Sequence, residues 1–303
     1  MANIPSWVYK LLIVLATIIW GFSFVVMKDV VAVLPPAWLL GMRFLFAGAL
    51  LLVILRKRVI RFCSRKVVTY GFILGVLDFT AFWLQTVGLK HTTPGINAFL
   101  TATYCVLVPF AWWLIARKRP TAFNIVAAVV AVCGIWLVSV SSSGETLSIG
   151  FGEAMTLGCA VAFAAHIVAV SKFAQKCDAL VLTAFQFIAE GALGIIFGAA
   201  TEAFPGITVF TPEIIGQMLF LAVFASVVAF GIQNVSLAHV PPTQASLLLS
   251  LESVFGVVFS ILLYGEQMTL RLVAGFVLIF AAIVISETLP LKEKPCRRKT
   301  TSS

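Results

Sequence analysis

The chain has 303 residues, 61% of them hydrophobic and only 11% charged, with a mean hydropathy of +1.08. Soluble globular domains carry about 45–50% apolar and about 25% charged residues, so this composition excludes a soluble enzyme, a disordered chain and a nucleic-acid-binding protein. The formal net charge of +9 therefore needs another origin, and the placement of lysine and arginine supplies it.

A helix crosses the hydrocarbon core of a bilayer in about 20 apolar residues. Taken in chain order, such runs lie near 7–27, 37–55, 67–89, 95–116, 121–140, 152–171, 180–203, 214–237, 242–263 and 268–287. The first run is long, has no small-x-small cleavage pattern behind it and leads straight into the second, so it reads as a transmembrane helix and not as a signal peptide. The connections are short and hold no inserted soluble domain. The predicted fold class is an all-α integral membrane protein with ten transmembrane helices. Six lysines and arginines in 56–66, three in 117–119, two in 172–176, five in 292–299 and Lys10 all fall on one side. The opposite side has Lys28, Lys90 and Arg271 and gathers Asp29, Glu145, Glu202, Glu213 and Glu266. The positive-inside rule then puts both termini in the cytoplasm of a bacterial inner (plasma) membrane. The positive charge is a topology signal, and no nucleic-acid partner is expected. Cys63, Cys105, Cys133, Cys159, Cys177 and Cys296 are scattered without a C-x-x-C pair or a companion histidine. They read as packing residues; no metal site, disulfide framework or cofactor is expected.

The chain repeats itself. FLFAGALL (44–51) over FIAEGALG (187–194) aligns Phe44, Gly48, Ala49 and Leu50 with Phe187, Gly191, Ala192 and Leu193, an offset of 143. QTVGLKHTTPGINAFL (85–100) over QNVSLAHVPPTQASLL (233–248), an offset of 148, aligns Gln85, Val87, Leu89, His91, Pro94 and Leu100 with Gln233, Val235, Leu237, His239, Pro242 and Leu248. Thr121 then falls on Thr269, and Val129 on Val277. Polar and proline matches in a fixed register carry more weight than apolar ones. The expected organisation is a first repeat over 1–140, a second over 141–291 and a basic cytoplasmic tail over 292–303. Five helices per repeat is an odd number, so the second copy is inverted in the membrane. Inverted repeats are a hallmark of secondary transporters, with the substrate site near the midplane between the repeats.

These residues also resemble a known family. IIWGFSFVVMK (18–28), R-F-x-x-A-G-A-L-L (43–51) and the segment 85–121 are similar to the first half of EamA-type transporters of the drug/metabolite transporter superfamily. FAAHIVAVSKFA (163–174) and PPTQASLLLSLESVFGVVFSILLYGEQMT (241–269) resemble its repeated copy, including a Leu-Glu before a helix kink and a Gly-Glu before the tenth helix. One position departs: Ser253 stands where the family usually has proline, which removes the usual cause of a kink. The resemblance implies a ten-helix carrier, often an exporter of amino acids, metabolites or foreign compounds.

An ionisable group within a span is costly and by default faces the bundle interior or a water-filled cavity. Five occur here: Arg43, Asp78, His166, Glu190 and Glu252. Arg43 can clamp a substrate carboxylate through its planar fork, or pair with Asp78 or backbone carbonyls; its repeat mate is the neutral Gln186. Asp78 and Glu252 can bind a cation or take up a proton. Glu252 has Tyr104 as its repeat mate and matches a common family position. Glu190 replaces Ala47 of the first half and reads as an interhelical hydrogen-bonding residue. His166, with an ordinary pKa near 6.5, completes a candidate proton-coupling set of Asp78, His166 and Glu252. Its mate is Ser23, and the two would face one shared cavity. Trp20, Trp83, Phe82 and Tyr104 offer apolar lining; Gln85, Asn97, Thr101, Gln233, Asn234 and Gln244 offer hydrogen bonds. The expected translocation cavity is thus Trp20, Ser23, Arg43, Asp78, Trp83, Gln85, Thr101, Tyr104, His166, Gln186, Gln233 and Glu252.

The expected function is secondary transport of a small organic solute by alternating access, with efflux of amino acids or related metabolites and drugs favoured by the resemblance. Import of a vitamin or nucleoside-like metabolite is the alternative. A channel lacks a ring-forming filter sequence. An intramembrane enzyme built on Ser23 and His166 is remote, because the G-x-S-x-G elbow is absent. No G-x-x-x-x-G-K-[ST] motif is present to couple ATP within this chain.

Overall fold

The computed structural model of the chain describes residues 5–116, 119–139, 149–174, 176–237 and 248–288. His239, Pro241, Pro242, Gln244, the side chain of Asn234, both chain ends and the basic tail lie outside them. The described residues are helical almost throughout. The helices are α1 (Ser6–Val33), α2 (Pro36–Ile54), α3 (Arg56–Phe62), α4 (Arg65–His91), α5 (Pro94–Ala102), α6 (Tyr104–Ala116) and α7 (Ala122–Ser139). After these come α8 (Phe151–Phe173), α9 (Ala179–Thr201), α10 (Pro212–Phe220), α11 (Ala229–Leu237), α12 (Leu251–Phe259) and α13 (Leu270–Thr288). Two π-helical stretches, Leu221–Val228 and Ser260–Tyr264, join α10 to α11 and extend α12. Seven helices are long and apolar enough to cross a membrane: Trp7–Val33, Pro36–Ile54, Arg65–His91, Pro94–Leu114, Phe151–Phe173, Ala179–Thr201 and Pro212–Gln233. The other three expected spans are present as shorter apolar helices, Ala122–Val138, Leu251–Tyr264 and Leu270–Ser286.

Local chemistry sets the helix ends. The side chains of Ser64, Thr93, Asp178 and Thr211 each accept the backbone N–H three residues on, starting α4, α5, α9 and α10. Pro36, Pro94 and Pro212 follow at first helical positions, where proline's missing N–H costs nothing. The fourth expected span is broken at Thr103, between α5 and α6. In the ninth, Ser253 stands in place of a kinking proline, and its hydroxyl donates to the Ser250 carbonyl at 2.8 Å. The irregularity there is a turn at Ser250 before α12 and a π stretch after it.

Lipid supplies no hydrophobic drive between helices, so close backbone packing carries the assembly. A Cβ placed on Gly41 of α2 would lie 2.7 Å from the Ile195 nitrogen of α9, and one on Gly194 of α9 would lie 2.6 Å from the Gly41 Cα. Only glycine lets these two backbones touch. Helix α2 packs on α9, α4 on α8 and α9, α7 on α13, α5 on α12, α6 on α8, and α1 on α11 and α12. The π stretch 221–228 packs on α2. Exchanging the first five spans for the last five returns the same set of helix pairs. Large apolar side chains such as Val53, Phe72, Leu114, Val132, Val161, Ile196, Leu262 and Val277 are exposed around the outside. That is the surface a bilayer covers.

The scarce charges at one end of the bundle cap helices. Lys28 Nζ donates to the carbonyls of Leu89 and Thr92, both at 2.7 Å, at the C-terminus of α4. The Glu202 carboxylate accepts from Ala37 N at 3.0 Å at the start of α2. Glu266 accepts from Gly95 N at 3.1 Å and from the hydroxyls of Thr93 and Ser260 at the start of α5. Arg271 Nε donates to the Leu137 carbonyl at 2.9 Å, near the end of α7. Each sign matches the helix dipole it meets. These four are among the charges that the positive-inside rule assigns to the outer face.

Candidate substrate site

Two polar groups lie inside the bundle. The first gathers Arg43 from α2, Asp78 from α4, His166 from α8 and Gln186 from α9. Arg43 is 2% exposed and Asp78 0%. Arg43 Nε donates to Ser226 Oγ at 3.0 Å, and its Nη1 lies 3.3 Å from the Met27 sulfur. The rings of Phe44 and Phe82 lie 4.7 and 5.3 Å from the guanidinium carbon. Gln186 Nε2 donates to Asp78 Oδ2 at 2.6 Å, and His166 Nδ1 lies 3.5 Å from Asp78 Oδ1. Arg43 forms no ion pair with either Asp78 or Glu190 among the described residues. The expected alternative of an Arg43–Asp78 pair is thereby corrected: Ser226, on the π stretch, takes the guanidinium instead. The Ser226 hydroxyl also donates to the Leu221 carbonyl, five residues back, at 3.0 Å. π-helical stretches recur at functional sites.

The second group holds Gln85, Thr101, Tyr104 and Glu252. Gln85 Nε2 donates to Thr101 Oγ1 at 3.1 Å, and Tyr104 Oη to Glu252 Oε1 at 3.3 Å. Asn97 donates to Thr156 Oγ1 at 2.8 Å and to the Gln85 carbonyl. Phe163 stands between the two groups, 6.2 Å from the Tyr104 ring and 5.1 Å from the Phe82 ring.

The remaining expected residues scatter. Trp20 donates from its indole to the Ala225 carbonyl of the π stretch at 2.8 Å. Ser23 is turned back onto its own helix, bonded to the Trp20 carbonyl at 2.7 Å, and no hydrogen bond to His166 forms. Gln233 is half-buried on α11. Trp83 packs edge-on against Phe197 of α9 at 5.3 Å. Glu190, read from the sequence as an interhelical hydrogen-bonding residue and not as cavity lining, is fully buried on α9 with Asp78 and Arg43 as its charged neighbours. The expected site left out Ser226 and Phe44, while Phe82, expected as apolar lining, does lie beside Arg43. The repeat register held the signal for Ser226, because the offset of 148 sets it on Asp78.

That register organises the site. Arg43 corresponds to Gln186 and Asp78 to Ser226, so the Arg43–Ser226 and Gln186–Asp78 hydrogen bonds occupy equivalent places in the two halves. The rings follow the same rule. Trp20–Phe230 at 5.3 Å matches Phe163–Phe82 at 5.1 Å, and Phe44–Phe82 at 5.1 Å matches Phe187–Phe230 at 5.3 Å. Phe44 and Phe187 are each other's mates and touch at 5.2 Å. Tyr104 and Glu252 are also mates, and they too touch.

Comparison with known proteins agrees in scale. The sequence profile of the EamA-like transporter family matches residues 7–140 and 150–288. The chain is 27% identical over 298 residues to the uncharacterized transporter YvbV of Bacillus subtilis, covering 97% of this chain and 96% of the relative. It is 28% identical over 273 residues to an uncharacterized transporter of Archaeoglobus fulgidus, covering 90% and 83%. Protein PagO of Salmonella typhimurium is 26% identical over 303 residues, covering 95% and 96%. One crystal structure, 16% identical, superposes with a TM-score of 0.67 over 96% of this chain and 99% of its own, a likeness of fold. The chain belongs to the EamA-like transporter family of the drug/metabolite transporter superfamily, and is a multi-pass membrane protein that transports small solutes.

Proposed function

We propose that the protein exports amino acids or closely related metabolites across the bacterial inner membrane by alternating access. Two five-helix repeats, 1–140 and 141–291, inverted relative to one another and with both termini in the cytoplasm, rock about the central groups. The observation that carries this reading is the matched pair of hydrogen bonds, Arg43–Ser226 and Gln186–Asp78, at equivalent places in the two halves. The return of the same helix pairs when the halves are exchanged supports it. The site has one buried cation and two buried acids that do not pair with it. That arrangement suits a zwitterion, with the substrate carboxylate on Arg43, its ammonium on the acids, and the surrounding rings holding an apolar side chain. Trp20, Ser23, Trp83, Gln85, Thr101, Tyr104, Gln186, Gln233 and Glu252 complete the translocation path, and Asp78, His166 and Glu252 carry proton coupling.

Counterflow in proteoliposomes tests the reading, with a panel of amino acids, nucleosides, amines and dyes. Zwitterionic amino acids are expected to exchange, and counterflow by nucleosides alone would overturn the substrate class. Cells expressing the protein are expected to hold less of the exchanged solute, and accumulation would show import. Collapsing the proton gradient is expected to abolish concentrative transport; transport that persists removes the proton from the mechanism.

A further inference from the structure

We propose that Asp78 and Glu190 form one proton-binding site, holding a single exchangeable proton between their carboxyls where α4 crosses α9. Both side chains are fully buried. The Glu190 carboxyl lies within hydrogen-bonding reach of Asp78, yet no N–H or O–H of the described residues reaches either Glu190 oxygen. Two carboxylates are acceptors only, so their contact is attractive only when one of them carries a hydrogen. Without that hydrogen, two like charges would share a dry site.

The surrounding groups leave this arrangement in place. Asp78 Oδ2 is taken by the Gln186 amide and Oδ1 faces His166 Nδ1, so the α8 imidazole addresses Asp78. From α2, Arg43 neighbours both acids but is bonded to Ser226. Segment 221–237 carries no titratable side chain. With one shared proton, one ionised carboxylate balances the Arg43 guanidinium.

The crossing itself is tight. A Cβ on Gly75, one turn before Asp78, would lie 2.7 Å from the Ala189 Cβ and 3.0 Å from the Glu190 nitrogen. Release of the proton to water on the open side of the carrier leaves two carboxylates at this crossing. Their repulsion separates α4 of the first half from α9 of the second. This consequence rests on the alternating-access reading; the proton itself does not.

Infrared difference spectroscopy of the full chain in proteoliposomes reads the proton without any substrate, and so fails or succeeds independently of transport. The expected result is a neutral-carboxyl C=O stretch at pH 7 that shifts on H/D exchange. Glu190→Gln removes it, Asp78→Asn moves its frequency by removing the acceptor, and Glu252→Gln leaves it. Glu190→Asp, which keeps the acid in nearly the same volume, shifts the band and decides the matter where Glu190→Gln does not fold. A band unchanged by Glu190→Gln or Glu190→Asp overturns the proposal. So does a wild-type spectrum with ionised carboxylates only and an imidazolium signal lost in His166→Gln, which would put the proton on His166.

Discussion

Arg43 and Gln186 hold equivalent places, make equivalent hydrogen bonds and differ by one charge. Arg43→Gln therefore separates scaffold from chemistry. A glutamine amide can still donate to Ser226, as Gln186 donates to Asp78, so the variant is expected to fold with an apparent Tm within a few degrees of wild type. What it loses is a charge-assisted contact to the substrate, worth about 1.5–3 kcal/mol, so zwitterion counterflow should fall roughly 10- to 100-fold. Wild-type counterflow in a folded Arg43→Gln would remove Arg43 from the site. Glu266 is a structural acid by contrast, since its three donors are Gly95 N and the hydroxyls of Thr93 and Ser260. Glu266→Ala strands the buried Gly95 N–H, at about 1–3 kcal/mol. Glu266→Gln keeps one acceptor oxygen and should cost less. Thermal unfolding in detergent is expected to rank wild type above Glu266→Gln and Glu266→Ala last; equal curves would mean the cap contributes nothing.

Between helices, the decisive feature is how near two backbones come. Gly194→Ala sets a methyl 2.6 Å from the Gly41 Cα, and backbone cannot move aside as a side chain does. Overpacking of this kind costs about 1–3 kcal/mol. Gly231 has nothing within 4 Å of its Cβ position, so Gly231→Ala on α11 should leave stability unchanged or slightly raised by helix propensity. Unfolding titrations of the two variants check the contrast, and equal losses would refute it. Much at this scale was readable in advance. The run near 37–55 is α2 (Pro36–Ile54) and the run near 67–89 is α4 (Arg65–His91), because twenty apolar residues leave a span little freedom in its ends. The irregularities were not readable. LAVFASVV (221–228) is apolar but for Ser226 and carries no mark of the π turn that offers that serine to Arg43. The fourth span breaks at Thr103, whereas its one internal proline, Pro109, sits inside α6. Glu190 was readable as a polar residue between helices but its neighbour was not, because Asp78 lies in the other half and only the α4–α9 crossing brings them together.

For the molecule as a whole, the two ends of the bundle are tied differently. At the sparsely charged end, Glu153, Glu202, Glu266 and Arg271 of the second half all bond to groups of the first. At the basic end, Arg58 pairs with Asp178 at 2.7 Å and Asn124 donates to Ser286. A carrier that rocks must open the first end at some point in its cycle. The contact between α4 and α8 is the one to test, because exchanging the halves carries it onto the contact between α11 and α1. In an inverted arrangement, that contact's closed end would lie on the opposite face, so the two cannot be closed at their free ends together in both states. His91 and Phe151 mark this junction, with rings 5.1 Å apart and Thr92 bonded to Glu153 at 3.0 Å beside them. Both side chains are exposed, so cysteines there are reachable by a short reducible crosslinker. With His91→Cys and Phe151→Cys joined, counterflow is expected to stop and to return on reduction. Either cysteine alone should leave it near wild type. Counterflow that continues at full crosslinking would mean that α4 and α8 stay together throughout the cycle, and the rocking of one half against the other would then have to be given up.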